Sequence, residues 1–192
     1  MKNIIEKAES LFKGRINKFG YDPYGLIKHV GEMERWAAFL CRRYPKADRE
    51  IVMLGVWLHD LGHYPLPSKI DHAIRSEKMA KKFLKDNNYP VKKIKMALHC
   101  VRAHRCNDVC PETLEARIVA CADSASHMTD DMYFDIARTD RKLENPALRF
   151  SGKIERDFRD ISVFPEVKKL LTPLYLSWKS LIAAYVNVIN KL

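Results

Sequence analysis

Two residues set side by side, His59 and Asp60, carry the strongest chemical signal in the chain. They lie in Val56-Trp57-Leu58-His59-Asp60-Leu61-Gly62-His63, where an apolar run delivers an imidazole and a carboxylate together and a glycine follows almost at once. Neighbours on a regular helix point about 100° apart, so they meet at one point only where the helix gives way. A break at Gly62 loosens that geometry, and a nitrogen and an oxygen donor can then meet one cation. The doublet therefore reads as half of a metal site. His29 and Asp123 share its peculiarity: each is a metal-competent side chain where the local pattern asks for an apolar or inward-facing residue.

The elements that must position these residues follow from periodicity and end signals. A first amphipathic stretch runs near Ile4 to Phe19, with Ile4, Ala8, Leu11, Phe12 and Ile16 on one side. Asp22-Pro23 joins an N-cap residue to a proline at the first helical position, which predicts a second helix from there to about Tyr44. Its stripe of Leu26, Val30, Met33, Ala37 and Leu40 includes His29, which should face inward. Asp48 caps a third helix that carries Ile51, Leu54 and Leu58 to the doublet at its C-terminal end. Tyr64 to Ser68 reads as a loop, and Asp71 caps a helix beginning at His72. Pro90 starts another, with Ile94, Ala97, Val101 and His104 on its apolar face, while His99 falls about 140° from His104 and should be exposed. Pro111 and Glu112 open a helix through Leu114, Ile118, Val119 and Ala122, with Asp123 inside the apolar run. Further helices are expected near 130–138, 153–160 and 166–190, the last kinked or broken at Pro173.

Composition sets the frame. A chain of 192 residues with 47% hydrophobic content supports one substantial core, so residues 1–192 read as a single domain. Only seven glycines stand against abundant helix formers, which favours an all-α, compact helical bundle over a sandwich or barrel. Charges interrupt the N-terminal segment, which lacks the apolar core of a secretory signal. Leu181 to Val186 is apolar but too closely flanked by polar residues for a membrane span of about 20 residues, and is expected to be a core helix. Five cysteines in an unexported chain suit reduced thiols, and the expected location is cytoplasmic. The formal charge of +10 favours anionic partners. Small phosphorylated molecules come first among these, because the cations are scattered without a nucleic-acid-reading signature. Composition is silent on oligomeric state.

The ordered set His29, His59-Asp60 and Asp123 resembles the HD-domain superfamily of metal-dependent phosphohydrolases. The likeness rests on Lys28-His29-Val30, on Trp57-Leu58-His59-Asp60-Leu61-Gly62 and on Ala120-Cys121-Ala122-Asp123, and covers about residues 20–130. The C-terminal helices of 131–192 would then pack on an HD-like core. The resemblance implies that His29, His59, Asp60 and Asp123 bind a divalent metal. His72 and His104 would bind a second metal or contact the substrate phosphate. Two imidazoles and two carboxylates suit Mn, Fe, Co, Ni or Zn better than Mg or Ca. The implied chemistry is in-line attack on phosphorus by a metal-activated water, with His59 and Asp60 at its centre, on a nucleotide-like phosphomonoester or phosphodiester.

The sequence departs from the family at His63, which stands where many members have a lysine or arginine. His63 either donates a hydrogen bond to phosphate or lies in solvent. Arg75, Arg102 and Arg105 are the cations near enough in sequence to stabilise transition-state charge. His127, four residues after Asp123, either binds substrate, hydrogen-bonds the carboxylate or ends its helix as a plain polar residue. Two other readings stand beside hydrolysis. The same helical fold with extra histidines suits a non-haem di-iron oxygenase, and the basic surface suits a nucleotide- or RNA-binding regulatory module. A zinc loop of His104, Cys106 and Cys110 lacks a fourth partner.

Overall fold

The computed structural model describes residues 2–64, 69–139, 146–189 and 191. The described residues form helices without strands: α1 (Ile4–Phe19), α2 (Leu26–Arg43), α3 (Arg49–Leu58), α4 (His72–Asp86), α5 (Val91–Ala103), α6 (Leu114–Thr129), α7 (Met132–Thr139), α8 (Pro146–Ile161) and α9 (Pro165–Ile189). The all-α expectation holds. No helix among the described residues is long and apolar enough to cross a membrane. The five cysteines are free thiols.

Two helices form the centre. Every residue of α3 from Ile51 to Leu58 is buried, and so is α6 from Glu115 to Met128 apart from Arg117. A helix apolar on all sides must be covered on all sides. Helix α6 packs against α2, α3, α5 and α8, while α1 and α5 flank α3. Small residues allow the close approach: a Cβ added at Gly55 would come within 2.7 Å of Val119 Cγ2 and 2.9 Å of Cys100 Cβ. Phe12 of α1 meets Trp57 of α3 edge to face, their ring centroids 5.9 Å apart. The doublet and Asp123 are thus delivered by the two most enclosed helices.

Several ends differ from the sequence expectation. Helix α2 starts at Leu26 and not at Asp22-Pro23, because Gly25 turns the chain in a left-handed conformation (φ 62°). Asp22 still acts as a cap from a distance, its two carboxylate oxygens accepting from the amides of Leu26 and Ile27 at 2.9 Å each. Helix α6 starts after Pro111 and Glu112, with Thr113 as N-cap accepting from Ala116 N. His99 is half-buried where exposure was expected, since its Nε2 accepts from Glu112 N at 3.0 Å. Helix α8 begins at Pro146, ahead of the expected 153, and α9 runs unbroken through Pro173. The C-terminal segment expected in the core is largely exposed, with Leu181 at 59% and Tyr185 at 55%. Helix α9 has 25 residues against 16 in its partner α8, and its buried residues stop at Trp178. Of the expected loop at 64–68, residues 65–68 lie outside the described residues.

Helix α3 ends at Leu58, and His59 is its C-cap with helical backbone, so the break comes three residues before Gly62. Glycine is required at 62 for another reason. A Cβ there would lie 2.4 Å from His72 O and 2.6 Å from Ser76 N, both backbone atoms of α4, and Gly62 N donates to Ser76 Oγ at 2.8 Å. The turn after the doublet is therefore pressed directly onto the first turn of α4. Gly62→Ala is expected to destabilise the fold by about 1–3 kcal/mol through overpacking. Thermal unfolding checks this, and an unchanged Tm would contradict the close contact.

Candidate metal centre

His29 lies in the first turn of α2, with a carboxylate at each ring nitrogen. Its Nε2 is 3.1 Å from Asp123 Oδ1, and its Nδ1 is 3.2 Å from Asp130 Oδ2 and 3.1 Å from Ser126 Oγ. Asp123, Ser126 and Asp130 recur at intervals of three and four, so one face of α6 and its C-cap supplies them all. The Ser126 hydroxyl donates to Asp123 O at 2.7 Å, which leaves its oxygen free to accept from His29 Nδ1–H.

His59 and His104 are oriented by backbone. His59 Nδ1 is 2.8 Å from Val56 O, and His104 Nδ1 is 2.7 Å from Val101 O. A carbonyl only accepts, so each Nδ1 carries a proton; His104 is neutral and presents a bare Nε2 lone pair, and His59, whose pKa Asp60 and Asp123 raise against the effect of burial, presents one once its second proton leaves. Both Nε2 atoms point at carboxylates. His59 Nε2 is 3.3 Å from Asp60 Oδ2 and 3.8 Å from Asp123 Oδ1, while His104 Nε2 is 3.9 Å from Asp60 Oδ1. His59 Nε2 and Asp60 Oδ1 are fully buried and make no hydrogen bond to any described residue. Imidazole nitrogens and carboxylate oxygens gathered in a dry site fit a shared cation. A divalent metal satisfies that requirement, and the donor set matches one.

The donors fall into two groups that could each hold an ion: His29, His59 and Asp123 in one, and Asp60, His63 and His72 in the other, the ligand atoms of each within 4.8 Å of one another. Asp60 connects them, with Oδ2 toward His59 and Oδ1 3.4 Å from His72 Nε2 and 3.7 Å from His63 Nε2. His72 opens α4 beside its N-cap Asp71, which also pairs with Arg105. Six imidazoles run in a row through the site. Their centroid separations are 4.9 Å from His127 to His29, 5.6 Å to His59, 4.9 Å to His104, 5.5 Å to His72 and 4.3 Å to His63. Of the chain's seven histidines, His99 alone is outside the row.

An outer layer comes from α8. His127 is buried, its Nε2 3.4 Å from Asp123 Oδ1 and its Nδ1 2.7 Å from Lys153 Nζ. An ammonium only donates, so His127 Nδ1 accepts and its Nε2 carries a proton toward Asp123. Lys153 also donates to Asp157 Oδ1 at 2.7 Å, and Tyr133 OH donates to Asp157 Oδ2 at 2.7 Å. Asp130, Lys153 and Asp157 were absent from the sequence candidates. Asp130 lies seven residues, two helical turns, beyond Asp123. Asp157 falls between the buried Ile154 and Ile161 on the inner stripe of α8.

A cavity of about 880 Å³ opens onto the centre. Asp60, His63, His72, His104, Asp123 and His127 line it together with the apolar Pro23, Leu26, Met132 and Ile136 and with Tyr24, and charged groups come from Arg105, Lys153, Arg156 and Arg159 and from Asp135, Asp157 and Asp160. Arg75 and Arg102 do not line it. Arg75 Nη2 donates to His63 O, and Arg102 pairs with Asp108 and Glu77. Cys106 and Cys110 join no metal-competent group among the described residues.

Electrostatics sort the histidines. Burial pushes His104 down to about 4, helped by neighbouring His59, so its ring is neutral near pH 7. Burial also pushes His29 down, but hydrogen bonds to Asp123 and Asp130 more than reverse this and hold it up at about 10. Burial raises the Asp60 and Asp123 carboxyls, yet the surrounding imidazoles, His59 and His63 for Asp60 and His127 and His29 for Asp123, keep both well below the usual range. Protons thus take the place of a cation in metal-free protein.

A family model described as HD domain matches residues 26–128, more than half of the chain, and the chain belongs to that family. Neither curated proteins nor solved structures yield a match. The matched segment ends before α8.

In chelator-treated protein the His29 pKa lies above its unfolded value of 6.5. Its proton therefore stabilises the fold fully below about 6.5, and that contribution is lost as pH rises through about 10. Asp130→Asn removes one charged partner and is expected to destabilise the chelator-treated protein by about 1.5–3 kcal/mol at pH 6. The gap to wild type should shrink toward pH 10; urea unfolding across pH measures it, and a gap independent of pH contradicts the assignment.

Proposed function

We propose that this protein is a metal-dependent phosphohydrolase in which His29, His59, Asp60 and Asp123 hold a divalent transition metal. The buried His59 Nε2 and Asp60 Oδ1, which make no hydrogen bond to any described residue and lie among imidazole nitrogens and carboxylate oxygens, carry the reading. Membership of a family composed mostly of metal-dependent phosphohydrolases supports it. Mn, Fe, Co, Ni or Zn suits the mixed nitrogen and oxygen donors. When bound, the ion supplies Lewis acidity toward a phosphoryl oxygen and acidifies a water molecule.

The chain's own groups do the rest. Val56 O and Val101 O fix the His59 and His104 tautomers that turn Nε2 inward. Asp130 and Ser126 hold His29 by its far nitrogen, and His127 Nε2–H holds Asp123, as partners beyond the ligands commonly do. The contacts of Asp60 with both donor groups support a role in orienting the attacking water toward phosphorus, opposite the bond to the leaving oxygen that breaks. His63 and His72 complete a second metal position with Asp60 or donate hydrogen bonds to phosphate. The cavity has the size of a small-molecule site, and Tyr24, Leu26, Met132 and Ile136 among its lining offer apolar contact to the organic part of a nucleotide-like ester.

The two donor groups would also seat two irons, so a di-iron oxygenase is the second reading, favoured by the His63 and His72 placement. Membership of a family composed mostly of phosphohydrolases favours the first reading.

A panel of phosphomonoesters and phosphodiesters offered to metal-reconstituted protein, with oxygen consumption followed in parallel, separates the two readings. His59→Ala and Asp60→Ala are each expected to lower kcat by about three orders of magnitude and to lower bound metal together. Full activity in metal-depleted Asp60→Ala protein would overturn the reading. The metal must also displace the His29 proton held to about 10, so its affinity should rise from pH 7 to pH 9, with about one proton released per ion. Calorimetry in buffers of different ionisation enthalpy reads this directly, and pH-independent binding would contradict His29 as a ligand.

A further inference from the structure

Behind Asp123 runs a chain of contacts that ends on α7 and α8. Its far end is the Tyr133 hydroxyl, which donates to Asp157 Oδ2 at 2.7 Å. The Lys153 ammonium donates to Asp157 Oδ1 and to His127 Nδ1, at 2.7 Å each. His127 Nε2 then lies 3.4 Å from Asp123 Oδ1. A carboxylate only accepts and an ammonium only donates, so the direction of every bond in the chain is set by these two kinds of group. Tyr133, Asp157 and His127 are buried, which makes a mismatched bond costly.

A neutral imidazole has one N–H and one lone pair, and the partner at one nitrogen decides what the other presents. His127 Nδ1 has two groups within reach: Lys153 Nζ, a donor, at 2.7 Å, and Asp157 Oδ1, an acceptor, at 3.5 Å. The donor is the nearer. Without the ammonium, Nδ1 would carry the proton toward Asp157, and the Nε2 lone pair would face the Asp123 carboxylate. Lys153 thus selects between a ring that holds Asp123 and a ring that repels it.

We infer that Lys153 is a positioning residue: it keeps His127 in the tautomer whose Nε2–H holds Asp123, and that hold tightens the binding of a divalent metal at the centre. The inference rests on Asp123 being a metal ligand, as in the reading above. It puts part of the metal affinity on α8, beyond the matched residues 26–128.

The test uses the full chain loaded with Zn2+, a diamagnetic ion that leaves ring-nitrogen resonances readable. Nitrogen chemical shifts report the tautomer of His127, assigned by its loss in His127→Ala, and competition with a chelating dye reports zinc affinity. Wild type should show the Nε2–H tautomer, and a ring protonated at Nδ1 there overturns the inference without any variant. Lys153→Met should move the proton to Nδ1 and weaken zinc by about 10- to 100-fold. Lys153→Arg, which still donates, should keep the Nε2–H tautomer and hold the loss within about threefold. In a His127→Ala background, adding Lys153→Met should change zinc affinity by less than about twofold, because the path through the ring is already cut. An unchanged tautomer or unchanged affinity in Lys153→Met, an equal loss in Lys153→Arg with the tautomer kept, or a full loss persisting without His127 overturns the inference while leaving the metal reading in place. Failure of zinc to bind wild type overturns both.

Discussion

Asp60 and Asp123 are carboxylates with almost no access to water, at 6% and 7% exposure, and the surrounding structure is organised by what such burial demands. An ionised carboxylate in a dry interior is costly unless positive charge and hydrogen bonds surround it. Here the answer is a row of six imidazoles supplied by α2, α4, α5, α6 and the turn after α3. Four of the rings are fixed by a partner on the far side: a carbonyl for His59 and His104, a carboxylate and a hydroxyl for His29, an ammonium for His127. The helices are packed tightly enough at Gly55 and Gly62 that these rings have little freedom to turn away. The fold and the site are solutions to one electrostatic problem.

The same constraint explains why some histidines are neutral and others charged without a metal. His29 lies between two carboxylates and keeps a proton; His104, with a carbonyl on one side and His59 nearby, does not. A metal entering the centre would meet donors that are partly prepared and partly protonated. Binding and proton release are then one event.

Much of this was legible in the sequence because helical periodicity is local. His29 on the stripe of α2 and Asp123 within the apolar run of α6 were visible as polar side chains in buried positions, and both are buried. The doublet was legible by its composition, although the helix ends at His59 and Gly62 serves close contact more than a break. His63 and His127 stayed open because their roles depend on where a turn and a helix end point, which spacing does not specify. Asp157 met the same criterion as His29, between Ile154 and Ile161, and could have been found by applying it to the last third of the chain. Lys153 and Arg156 could not. A cation on a helix has the sequence appearance of a solvated face, and only the packing of α8 across α6 turns that face toward the cavity. The exposure of the end of α9 had the same origin: length relative to a partner is a tertiary property.

Helix α8 lies outside the segment that defines the family, yet it walls the cavity and braces His127 through Lys153. The donor cluster and the wall above it are therefore written in separate stretches of the gene. Substitutions on α8 away from Lys153 and Asp157 would reshape the wall while the donors, carried by α2 to α6, keep their places.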